Sequence, residues 1–171
     1  MSSAVLVAAI GLGALAGCTV PSAGRAGVAM SQTGRPLGVV VMCQDHIDGT
    51  TLYLGDDDAS VSARHVARWE AEGPVTGFAT WPLDAPPEES SPFKAPPSQP
   101  PRLENGVRYV PHGWTTDNSS AAAHVEFTLA DLAVLKPGQV RYWVADTEGS
   151  GPDGYKAGTV AEIRTDVCGG T

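Results

Sequence analysis

The 171-residue chain predicts an all-β domain, an antiparallel sandwich, on three observations. Short runs of β-branched and aromatic residues recur along it, the segments between them are rich in Gly and Pro, and no amphipathic helix of useful length interrupts them. Such a pattern buries one face of each strand and leaves the other wet, as two packed antiparallel sheets require.

The elements follow in order. Val39-Val40-Val41-Met42-Cys43 is a β-branched run, Asp48-Gly49 tolerates positive φ, and Thr51-Leu52-Tyr53-Leu54 resumes strand character, so a hairpin is expected here. A second pair is expected from Arg64 to Glu70 and from Val75 to Trp81, about a turn at Glu72-Gly73-Pro74. Large aromatics on strands usually pack inward, which assigns Trp69 and Trp81 to the core. Prolines between Pro82 and Pro101 are too dense for a helix or a central strand, so 82–101 is an exposed loop, either a binding or lid segment or a solvated linker. From Ala123 to Leu129, Ala123, Val125, Phe127 and Leu129 face one way and His124, Glu126 and Thr128 the other. A short turn of helical character at Asp131 to Leu135 precedes a strand from Val140 to Ala145. The last strand, Thr159 to Cys168, turns Ala161, Ile163 and Val167 inward.

The N-terminus has a different character. Ala4 to Gly17 carries no charge and is rich in Ala, Leu, Val and Gly, but it is too short to span a bilayer, which takes roughly 20 apolar residues. It closes with Leu15-Ala16-Gly17-Cys18, which resembles the lipobox of bacterial lipoproteins. The resemblance implies a signal peptide over 1–17 and a lipid-modified Cys18 at the mature N-terminus. It also implies a protein held at the cell membrane by that lipid and facing the extracytoplasmic side. Residues 18–36 then read as a flexible tether and 37–171 as the folded domain. With Cys18 given to lipid, Cys43 and Cys168 remain, and in an oxidising compartment a disulfide between them is expected; two buried thiols or two metal ligands are the alternatives.

Leu129 to Val144 (LADLAVLKPGQVRYWV) resembles the strand, Leu-x-Pro-Gly turn and Tyr-bearing strand of fibronectin type III and other immunoglobulin-like domains. That resemblance implies an immunoglobulin-like β-sandwich, here closed by one disulfide.

Charge and motifs narrow the chemistry. Eleven Lys and Arg against 19 Asp and Glu give a formal charge of −8, which disfavours nucleic acid and anionic lipid surfaces. The nucleophile elbow, zinc-protease helix, phosphate loop and EF-hand patterns are absent, so no enzyme class and no cofactor is indicated. Asp56, Asp57 and Asp58 end a strand and offer carboxylates to a hard cation, and His46 lies between Asp45 and Asp48; both are candidate metal sites, with solvated loops the competing reading. His112-Gly113-Trp114 sits in a polar stretch and is the candidate partner contact. The function expected is a non-enzymatic interaction module for an envelope protein or cell-wall partner; a small-ligand or metal-binding lipoprotein is the alternative.

Overall fold

The computed structural model describes residues 20–55, 64–96, 99–144 and 154–169. Residues 1–17, expected to be a signal peptide, Cys18, expected to carry the lipid, and the acidic run Asp56, Asp57 and Asp58 lie outside the described residues.

The described chain is mostly β. Strands β1 (Ser22–Met30) and β2 (Pro36–Met42) form an antiparallel hairpin. Its turn is closed by a Gly34 N–H bond to the Ser31 carbonyl, with Gly34 at φ 77°. β3 (Ile47–Leu54) pairs with β4 (His65–Val75) on one side and with β6 (Tyr109–Trp114) on the other. β5 (Phe78–Pro82) returns to β2. β7 (Ala121–Ala123) joins β6 to β1, and β8 (Val140–Trp143) with β9 (Tyr155–Gly158) branches from β1. The path across the sheet is β4-β3-β6-β7-β1-β2-β5.

Four expectations are corrected by these pairings. The sheet is mixed, because β1 and β7 run parallel, where an all-antiparallel arrangement was expected. The presumed tether 18–36 contains β1, which takes part in three strand pairings, so the fold begins before Leu37. Its Gly and Ala residues allow close approach rather than flexibility: a Cβ on Gly27 would lie 2.6 Å from the Val140 side chain on the neighbouring strand. Neither expected hairpin forms, since β2 pairs with β1 and β5 while β3 pairs with β4 and β6. Asp48-Gly49 consequently lies inside β3, and the left-handed residue that turns the chain before it is Asp45, at φ 60°.

The fourth correction concerns the C-terminus. Thr159 to Cys168 is not a strand: Val160–Cys168 forms helix α2. Thr159 caps it, its hydroxyl accepting from the Glu162 N–H while the Glu162 carboxylate accepts from the Thr159 N–H. The apolar positions Val160, Ile163 and Val167 fall at helical spacing on one face. The turn at Leu129–Ala133 is likewise a capped short helix, α1. The strand expected from Ala123 to Leu129 does not form: β7 ends at Ala123 and Thr128 already caps α1, although Val125 and Phe127 are buried and His124 is exposed, as the alternation predicted.

Side chains from the two faces of the sheet form two apolar clusters. One gathers Trp69, Trp81, Phe93, Phe127, Ile47, Leu52, Val28 and Val40, bearing out the core assignment of Trp69 and Trp81. The Trp69 and Trp81 rings are 6.1 Å apart, so the two end strands of the path, β4 and β5, curl toward each other. The other cluster packs Ile163 of α2 against Val39, Val41, Val140 and Tyr142. Cys43, just beyond β2, is disulfide-bonded to Cys168 at the end of α2, with Cα atoms 5.2 Å apart. A second tie comes from Tyr142, whose buried hydroxyl donates to Asp166 Oδ2 at 2.6 Å, the same oxygen that Lys156 Nζ reaches at 2.8 Å.

Candidate interaction groove

The two end strands of the sheet are treated differently. Along the open edge of β4 runs the Pro-rich segment. Ala71 bridges Phe93, the Glu72 N–H donates to the Pro92 carbonyl at 3.0 Å, and the Lys94 N–H donates to the Glu70 carbonyl at 2.8 Å. Phe93 is buried, its ring 4.9 Å from that of Trp81. This part of 82–101 is therefore fastened to the body by an aromatic wedge and is not a solvated linker.

Strand β5 has no such cover. Met42 donates to the Gly77 carbonyl and Leu83 to the Pro36 carbonyl, which fixes the parity of the β2–β5 ladder. Ala79 and Trp81 then turn their peptide groups toward β2, and Phe78 and Thr80 turn theirs away. No hydrogen bond from the described residues reaches those outward N–H groups. Pro82, which has no N–H to offer, ends the strand, and a proline there suits an edge.

Beside this edge lies a groove of about 560 Å³, lined by Phe78, Thr80 and Pro82 of β5, Leu37 of β2, and Glu88, Ser90, Ser91 and Pro92. Phe78 is 40% exposed, a large apolar side chain left in solvent on a strand. A Cβ on Gly38 would collide with the Trp81 ring, so only glycine lets that indole lie across β2. The sequence carried one signal of this edge, the proline directly after an apolar strand, and no signal of which strand would be left unpaired.

The residues singled out from the sequence fall elsewhere. His112 and Trp114 lie on strand β6, not in a loop, two residues apart and hence on one face. The Trp114 indole N–H donates to Thr51 Oγ1 at 3.0 Å, and the Arg68 guanidinium stacks 3.8 Å above its ring. Both residues are half-buried, and burial, followed by the nearby charge of His124, pushes the His112 pKa below the ordinary histidine value.

His46 is engaged at both ring nitrogens: Nδ1 lies 2.7 Å from Asp45 Oδ1 and Nε2 lies 3.3 Å from Asp48 Oδ1. The other Asp48 oxygen accepts from the Thr116 N–H at 2.8 Å, so the trio ties the turn before β3 to the loop after β6. Among the described residues no group of three or more His, Cys, Asp or Glu side chains is placed to hold a metal ion. Nor is any helix among them long and apolar enough to cross a membrane. No protein-family model, no curated protein and no solved structure matches the chain.

Proposed function

We propose that the chain is a membrane-anchored extracytoplasmic lipoprotein whose β domain is a non-enzymatic interaction module, and that it binds an extended segment of an envelope protein along β5. The observation that carries this reading is the uncovered β5 edge, with outward N–H groups at Phe78 and Thr80 and beside them a groove of mixed lining that includes Leu37, Phe78 and Pro82. An incoming strand would satisfy those groups and seat alternate side chains against Phe78 and Leu37, the arrangement by which sheet edges capture peptides. Glu88 on the groove wall and the net charge of −8 favour a segment carrying Lys or Arg. The location rests on Leu15-Ala16-Gly17-Cys18 and its resemblance to a lipobox. In displaying a binding edge from a disulfide-tied β frame, the domain would work as immunoglobulin-like modules do.

The test is a photo-crosslinking residue placed at Phe78 in the full-length protein in its native membrane, with the same probe at Val134, which is 80% exposed, as control. A discrete adduct is expected from position 78 and not from 134. It should vanish when Thr80→Pro removes one outward N–H without touching the β2 ladder. Equal labelling from both positions, or an adduct indifferent to Thr80→Pro, would exclude the β5 edge as the binding surface.

A further inference from the structure

A second cavity lies away from β5, at a split in the sheet. Both β7 and β8 pair with the same edge of β1, β7 over Ser22 to Arg25 and β8 over Gly27 to Ala29. Two strands cannot continue side by side along one edge, so they part, and the notch between them is a cavity of about 360 Å³. It is lined by Arg25, Ala123, His124, Glu126, Trp143 and Tyr155.

Arg25 is the unusual member. Its Nε is withdrawn from solvent and has no hydrogen-bond partner, and no carboxylate of the described residues lies within ion-pair distance of its guanidinium. The indole of Trp143 lies 4.9 Å below it and offsets part of the cost of burying an unpaired cation, yet a π face leaves the in-plane Nε–H unmet. The neighbouring cations are engaged: Arg108 reaches Glu126 at 3.8 Å, and Arg141 stacks 4.1 Å from the Tyr155 ring. Burial lowers the Arg25 pKa, because desolvation disfavours the charged form.

We propose that this notch binds a small monocarboxylate with a flat apolar body. The carboxylate would accept from the Arg25 fork, whose planar donors match its two oxygens. Trp143, Tyr155 and Ala123 would enclose the body. Glu126, which also lines the cavity, disfavours a second negative charge, which favours a carboxylate over a phosphate. The site is separate from the β5 groove, and neither reading depends on the other.

Benzoate is the probe, titrated calorimetrically into the full-length protein, with benzylamine and inorganic phosphate as controls of opposite and higher charge. Benzoate is expected to bind, the controls not, and Arg25→Gln to weaken benzoate by roughly ten- to a hundredfold, the worth of a charge-assisted hydrogen bond. If Arg25→Gln does not fold, the wild-type protein still decides the matter. Benzoate should shift one indole N–H resonance, the one missing from Trp143→Phe. Absence of benzoate binding, equal binding by Arg25→Gln, a shift at another indole, or phosphate or benzylamine binding as well as benzoate would overturn the proposal.

Discussion

His112 shows how one strand position converts burial into pH sensitivity. Facing Thr51 across the β3–β6 pair and half-buried, it is held below the ordinary histidine pKa by desolvation and then by His124. The unfolded chain therefore takes up a proton that the folded chain refuses, so stability falls as the pH drops through the ordinary histidine range. Urea midpoints followed from neutral pH to about pH 5 are expected to decline, and His112→Gln to flatten that decline. A profile unchanged by the substitution would mean that His112 titrates as it does in the unfolded chain. The position of His112 was legible only in part. His112-Gly113-Trp114 reads as a loop because its surroundings in the sequence are polar, while the pairing that makes it a strand comes from β3, some sixty residues earlier in the chain.

At the level of elements, α2 is fastened at two points along its length, by Asp166 to Tyr142 and Lys156 and by Cys168 to Cys43. The Lys156 ammonium and then the Tyr142 hydroxyl hold the Asp166 carboxyl below its ordinary pKa. The stability this contributes is complete above the ordinary carboxylate range and is lost as the pH falls through the lowered value. Asp166→Asn should cost about 1 kcal/mol at neutral pH, a figure reduced for the solvent around the pair, and should remove that part of the acid dependence. Thermal melts at neutral and acid pH check both. The helix was misread because two periods fit the same residues. Ala161, Ile163 and Val167 can be drawn as an alternating strand, but Val160, Ile163 and Val167 at helical spacing, with the Thr159–Glu162 cap, fit better. A strand would also have turned Cys168 to the wet face, and the helix removes that conflict. In 123–129 the alternation placed Val125 and Phe127 correctly in the core, but Ala123 and Leu129 are only partly buried and the segment runs into α1 instead of forming a strand.

For the whole molecule, the disulfide closes 125 residues, from the end of β2 to the end of the last helix. In the chain-entropy picture a loop of that size lends about 4–5 kcal/mol, so reduction, or Cys43→Ser with Cys168→Ser, should lower the unfolding free energy obtained from urea titration by that much without changing β content. A loss under about 1 kcal/mol would show that the unfolded chain without the disulfide keeps residual structure, so that the cross-link restricts it little. The mixed sheet was the least legible feature. Composition marks β1 as a linker, since its Gly and Ala residues, which allow strands to approach closely, are the same ones that make tethers loose. Local patterning reports which residues are buried, whereas topology depends on pairings between distant segments.

The central place of β1 has a consequence for the order of events in folding. The strand that leaves a ribosome or a membrane pore first is completed late: β2 follows at once, but β7 arrives only with residue 121 and β8 with residue 140. Until then one edge of β1 stays bare, and the sheet around it lacks most of its long-range pairs. Any passage that delivers this chain N-terminus first therefore moves it unfolded for most of its length, and collapse into the native sheet waits until four-fifths of the chain has emerged.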